Sequence, residues 1–282
     1  MKIFITGTNG FIGRNLKEHF QGRHDLQCPK RTELNLVDSE AVREYLSDGK
    51  FDAVIHCAVN ISSVEETLKM YFNLERCSGM FGKLLSVGSA AEYDMRHYVP
   101  KMKESYFGEH VPADVYGFAK YVIAKDIESR HRNLYNLRVF GIYGKYENHK
   151  RRFISNNICR VLCDLDLSIM KNVYFDYLYV DDFARIVDLF LGREAAQRSY
   201  NVCTGESVDL LSLARMIREI DGKGRPIVVK EEGLKPEYTG DNSLFLKDFG
   251  AFAFTPHEKA VGELYRWYQD PGHVALDAKD YA

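Results

Sequence analysis

Residues 2–13 read KIFITGTNGFIG. A β-branched apolar run ends at Gly7, two more glycines follow at 10 and 13, and Phe11, Ile12, Leu16 and Phe20 then recur at helical spacing. A strand that turns through glycines straight into a helix has a specific physical use. One glycine permits the tight turn, one lets the backbone approach a pyrophosphate, and one lets helix and strand pack closely. The helix N-terminus adds unpaired N–H groups and a partial positive charge, which suit phosphate. The stretch predicts a dinucleotide-binding βα unit, with Gly7, Thr8, Asn9, Gly10, Phe11, Ile12, Gly13 and Arg14 along the cofactor.

The pattern continues outward from this unit. HDLQC (24–28), FDAVIHCA (51–58), KLLSVGSA (83–90) and YNLRVFGIYG (135–144) read as strands. Helices are predicted between them, one of them capped by Asp38 or Ser39 and another carrying Tyr116. Strands alternating with helices predict an α/β fold, a doubly wound parallel Rossmann sheet whose crevice lies at the carboxyl ends of the strands. After residue 145 the rhythm loosens. Residues 146–173 read as basic and then helical, 174–191 as a strand and a helix, and the remainder as a small mixed lobe with a loosely held tail after Asp270. The expected division is a nucleotide-binding domain over 1–145 with 174–204, and a C-terminal mixed α/β substrate lobe over 146–173 and 205–282.

Bulk properties narrow the class. The 282 residues carry a net charge of −2, with 45% hydrophobic and 28% charged residues. That balance gives no general field for nucleic acid or acidic membranes. No apolar run approaches the roughly 20 residues of a membrane span. The chain enters a strand pattern at once, leaving no room for a signal peptide, so a cytoplasmic protein is expected. Six scattered cysteines without a CxxC pair suit a reduced compartment, and no metal site is expected.

The stretch ADVYGFAKYVIAKDI (113–127) sets Tyr116 and Lys120 four residues apart, on one face of a helix. A tyrosine pKa of about 10 is too high for easy proton exchange at neutral pH. A neighbouring ammonium is expected to lower it and make the phenol a general acid or base. With TGTNGFIG, FDAVIHCA, YFN (71–73), SVGSAAEY (86–93), YGFAK (116–120), LRVFGIYG (137–144) and FDYLYVDD (175–182), the chain resembles the extended short-chain dehydrogenase/reductases, which act on nucleotide-linked sugars.

The resemblance implies that Lys120 also holds the nicotinamide ribose and that Ser89, four residues before Tyr93, polarises the reacting carbonyl. It further implies that Asn35 and Leu36 flank the adenine, that Cys57, Ala58 and Asn73 line the inner side, and that a nucleoside-diphosphate sugar is bound by a homodimer. Gly141 departs from the asparagine that many sugar epimerases of this group carry. Dehydratases of the group carry an Asp–Glu pair where Ala90 and Ala91 stand, and Glu92 is expected near the substrate.

Cofactor choice is read from the residues. An NAD site needs a carboxylate about 20 positions past the glycines. Here the turn is CPKR (28–31), and Lys30, Arg31 and Arg14 suit a 2′-phosphate. NADP(H) is therefore favoured over NAD(H). The expected chemistry is reduction of a nucleoside-diphosphate 4-keto-6-deoxy sugar, with a 4-epimerase holding NAD as the alternative. Arg151, Arg152 and Arg160 are candidates for the substrate pyrophosphate, with Asn157 and Tyr174 as weaker ones. Asp181 and Asp182 read as helix caps and structural acceptors rather than catalysts, and His56 is assigned no catalytic role.

Overall fold

The computed structural model describes residues 1–130 and 133–281. Six strands form one all-parallel sheet: β1 (Lys2–Thr6), β2 (Asp25–Gln27), β3 (Phe51–His56), β4 (Phe81–Ser89), β5 (Leu134–Val139) and, much later, β10 (Ser199–Val202). Their order is β2-β1-β3-β4-β5-β10. The path leaves β1 on one side for β2 and returns on the other for β3, so the switch point lies between β1 and β3.

Alternation along β1 builds both faces. Ile3 and Ile5 join Leu16 and Phe20 of α1 (Phe11–Phe20) and Phe183 and Phe190 of α6 (Val180–Gly192). Phe4 points the other way, toward Leu46 of α2 (Ser39–Gly49), Tyr71 of α3 (Val64–Glu75) and Ile123 of α4 (Val115–Ser129). Asp38 caps α2 by accepting from Glu40 and Ala41 N–H groups, each at 3.1 Å, which settles the choice between Asp38 and Ser39.

The YNLRVFGIYG stretch is not one strand. It breaks at Phe140, and β6 (Gly141–Tyr143) leaves the main sheet to pair with β9 (Tyr177–Tyr179). A Cβ on Gly141 would lie 2.6 Å from the Asp176 carbonyl oxygen, so the crossing leaves no room for an asparagine there. Residues 146–173 also differ from the reading. Only α5 (Phe153–Leu162) is helical, and β7 (Leu167–Asn172) follows it. β7 pairs in parallel with β12 (Ile227–Leu234), while β8 (Tyr174–Phe175) pairs with β11 (Val208–Asp209).

A second apolar cluster joins α5, α7 (Leu210–Asp221) and α9 (His257–Gln269). The tail after Asp270 belongs to it, contrary to the sequence expectation. Val274 and Leu276 pack on the cluster, Tyr281 is buried, and the Tyr281 hydroxyl lies 2.5 Å from His149 Nδ1. The short α8 (Ser243–Phe249) carries Phe245 and Phe249 onto Phe190. Among the described residues no helix is long and apolar enough to cross a membrane.

Candidate active site

The glycine turn sits at the switch point. Gly7 has φ +71°, and a Cβ there would lie 2.7 Å from the Ala58 nitrogen. Gly13 lies against the turn from behind, where a Cβ would come within 2.4 Å of the Gly7 carbonyl oxygen. Thr6 Oγ1 accepts from the Cys57 and Ala58 N–H groups at 3.1 Å and locks the ends of β1 and β3 together.

A cavity of about 430 Å³ opens over this turn. Of the residues predicted from sequence, Gly7, Thr8, Asn9, Gly10, Lys30, Arg31, Asn35, Leu36, Cys57 and Ala58 line it. The start of α1 supplies N–H groups, the basic turn supplies cations, and Leu34, Leu36, Ile61 and Met70 supply an apolar wall. This donor set fits the adenosine and phosphates of a nicotinamide dinucleotide.

Seven predicted cofactor residues stand apart from that wall, Tyr116 and Lys120 among them. Phe11 and Ile12 pack into the two main apolar clusters, and Gly13 lies behind the turn. Arg14 stacks 3.6 Å over the Tyr146 ring and pairs with Glu18 at 3.7 Å. Asn73 is buried and donates to the Leu36 carbonyl at 2.9 Å, which steadies the wall from below. Sequence reasoning missed Asn60 and Glu66. Glu66 lies 3.6 Å from Arg31 and accepts from Asn60 Nδ2 at 3.0 Å. Their only signal was position, Asn60 in the loop after β3 and Glu66 in the first turn of α3.

Deeper in, α4 brings Tyr116 and Lys120 against the end of β4. Asp114 caps the helix by accepting from the Gly117 N–H at 2.8 Å. The Lys120 ammonium is buried and donates to the Val87 carbonyl at 2.6 Å. Ser89, the last residue of β4, acts on Tyr116, and its hydroxyl accepts from the Ala91 N–H at 3.2 Å. Ser86 is fully buried within the strand, so Ser89 is the serine that reaches the helix.

The electrostatics correct one expectation. The Tyr116 pKa is raised rather than lowered, because burial outweighs the Ser89 hydroxyl and the Arg152 charge. Lys120 is shifted down by burial, against the opposing charge of Glu92. The phenol therefore stays protonated at neutral pH and can serve as a donor. His56 is fully buried, bonded through Nδ1 to Thr6 Oγ1 at 3.0 Å, and burial pushes its pKa down to about 3. Burial also raises the Cys57 thiol to about 12, which makes it a wall and no nucleophile.

Glu92 does not face the substrate side. It is fully buried and pairs with Arg138 at 2.6 Å. The three arginine candidates separate. Arg160 spends its guanidinium on the carbonyls of Asp166 (2.6 Å) and Tyr281. Arg151 is exposed. Arg152, at the start of α5, projects its charge onto Tyr116, Tyr177 and Tyr238.

Asn157 is tied to Phe153 and Ser168 backbone groups, and Tyr174 is exposed on β8. Asp181 and Asp182 are not caps, since Tyr179 holds the N-cap position of α6. Asp182 instead accepts from Thr255 N–H and Oγ1, each at 2.7 Å. Tyr238, unmarked by any motif, stacks on Tyr98 at 5.0 Å beside Tyr116. Among the described residues no group of three His, Cys, Asp or Glu side chains is arranged to hold a metal ion.

Comparison with known proteins shows the same fold. An ADP-L-glycero-D-manno-heptose-6-epimerase from Cupriavidus pinatubonensis is 23% identical over 96% of this chain and 100% of its own length. Among solved structures, a GDP-L-fucose synthetase from Naegleria fowleri superposes with a TM-score of 0.84 at 17% identity, over 98% of this chain and 94% of that one. A GDP-mannoheptose C4 reductase from Campylobacter jejuni, with NADP bound, gives 0.81 at 20% identity, over 95% and 98%. The family model for the NAD dependent epimerase/dehydratase family matches residues 3–203. With its parallel sheet, its glycine turn at the switch point and that match, the chain belongs to the NAD dependent epimerase/dehydratase family.

Proposed function

We propose that this protein reduces the 4-keto group of a nucleoside-diphosphate 4-keto-6-deoxy sugar, using NADPH. The observation that carries the reading is the placement of Ser89 at the end of β4 against Tyr116 and Lys120 of α4, with Lys120 acting on Cys57, a wall residue of the cavity that also carries Lys30 and Arg31. Bound NADPH would supply the hydride. Ser89 would donate a hydrogen bond to the carbonyl oxygen, and Tyr116 would deliver its proton to that oxygen as charge develops there. Lys120 would hold the ribose and stabilise the phenolate that remains. Arg152 is assigned the substrate pyrophosphate, because a guanidinium matches paired phosphate oxygens and its charge acts on Tyr116.

A 4-epimerase holding NAD is the second reading. It is favoured by Glu66, whose carboxylate lies 3.6 Å from Arg31 and partly offsets the basic turn. The test is Tyr116→Phe with a 4-keto nucleotide sugar and NADPH, followed by loss of NADPH absorbance. The proposal expects turnover to fall at least about 100-fold with NADPH affinity retained. Full turnover in that variant would overturn it.

A further inference from the structure

Directly beneath the proposed catalytic groups lies a buried ion pair that the mechanism above leaves without a role. Glu92 and Arg138 are both fully buried. Glu92 Oε1 accepts from the Ser89 N–H at 2.9 Å, closing a capping box around the single turn Ala90–Glu92. Its Oε2 accepts from Asn136 Nδ2 at 2.8 Å and Arg138 Nε at 2.6 Å. Arg138 in turn donates to the Tyr93 hydroxyl at 3.1 Å and to Glu128 at 3.4 Å, with its guanidinium against the Tyr93 and Phe107 rings.

The surrounding backbone is shaped for this carboxylate. A Cβ on Gly88 would stand 2.5 Å from Glu92 Oε1, and one on Gly117 would stand 2.5 Å from the Ala91 carbonyl oxygen. The turn that carries Ser89 is thus gripped between Glu92 and α4. A buried ion pair is weak evidence of stabilisation, since an apolar pair of similar shape does as well. A positioning role accounts for what it holds.

We propose that Glu92 is a positioning residue, which fixes the turn presenting Ser89 to Tyr116 and supplies a fixed negative charge below the Tyr116–Lys120 pair. The inference rests on the catalytic reading of Ser89, Tyr116 and Lys120. Burial raises the Tyr116 pKa and lowers that of Lys120, and the Glu92 charge pushes both upward. The other groups facing the pair are Cys57 and His56 at the end of β3, Asp114 at the helix cap, Arg152 at the start of α5, and Tyr238. Arg138 stays cationic, because Glu92 and Tyr93 hold its charge against burial. Burial raises the Glu92 pKa, against the Arg138 charge and the hydrogen bonds from Ser89, Arg138 and Asn136.

Removing the Glu92 charge should lower both pKa values and bring the alkaline loss of activity to lower pH. Glu92→Gln alone leaves Arg138 buried and unpaired and risks the fold. The test therefore uses two double variants, Glu92→Gln/Arg138→Met and Glu92→Ala/Arg138→Met, in which no charge is stranded. The first keeps an acceptor for the Ser89 N–H and should fold, with the alkaline limb of kcat about one pH unit lower. The second loses the acceptor as well, and its kcat should fall a further roughly tenfold while both KM values hold. Folded double variants whose limb and kcat match the parent would overturn the inference. A Tyr116→Phe variant run in parallel separates the two readings. If it turns over normally, the catalytic reading fails and takes this inference with it. If it is inactive while the limb stays put, the inference alone fails.

Discussion

Gly13→Ala sets two effects of known size against each other. Gly13 is the third residue of α1, where alanine normally stabilises a helix by roughly 1 kcal/mol. Here the new Cβ would lie 2.4 Å from the Gly7 oxygen, 2.7 Å from the Gly7 carbonyl carbon and 3.0 Å from the Thr8 nitrogen. All three are backbone atoms, so no rotamer change relieves the contact, and α1 must move off the turn. Overpacking of this kind costs about 1–3 kcal/mol, so net stability should fall by about 0–2 kcal/mol.

Cofactor affinity is the sharper readout. The N–H groups at the start of α1 would no longer converge on the pyrophosphate, and one lost hydrogen bond to a charged group is worth about 1.5–3 kcal/mol. The dissociation constant for NADPH should rise about 10- to 150-fold, measured by titration of NADPH fluorescence. Gly192→Ala is the control, because nothing lies within 4 Å of a Cβ there, and it should bind as the parent does. If the Gly13→Ala variant binds NADPH within about twofold of the parent, the assignment of this turn to the pyrophosphate is wrong.

Arg152→Met should raise KM for the nucleotide sugar by about tenfold or more without changing NADPH affinity, whereas Arg160→Met should lower the melting temperature and leave KM alone. Replacing Lys30 and Arg31 together by alanine should weaken NADPH binding more than NADH binding, read as the ratio of the two dissociation constants. Glu147 is buried, and burial raises its pKa to about 7, against the Ser155 hydrogen bond and the Arg152 charge. A raised carboxyl stabilises the fold below its unfolded pKa of 4.5, and that contribution is lost as pH rises through about 7. Urea unfolding should therefore show Glu147→Gln gaining on the parent between pH 5 and pH 8, by up to about 3 kcal/mol.

What the sequence revealed follows the range of its interactions. The β1–turn–α1 unit was legible because strand, glycines and helix spacing lie within twenty residues and depend on one another locally. Tyr116 and Lys120 were legible for the same reason, since one helical turn puts them together. Glu92 was misread because the partners that decide its direction, Asn136 and Arg138, lie 44 and 46 residues away on β5. Strand β7 was missed because it is completed by β12, with Leu167 opposite Ile227. Arg152 and Arg160 look alike in the chain, and only the carbonyls of Asp166 and Tyr281 tell them apart. The direction of the Tyr116 shift was misjudged because burial, which dominates it, has no local sequence signature.

The central claim is a reductase that takes up NADPH afresh for each turnover. Denaturing the purified protein, identifying any released nucleotide, and titrating the native protein with NADPH and NADH tests it most directly. The account predicts little released nucleotide and a clear preference for NADPH. Stoichiometric NAD released on denaturation would contradict it and make the 4-epimerase the leading reading.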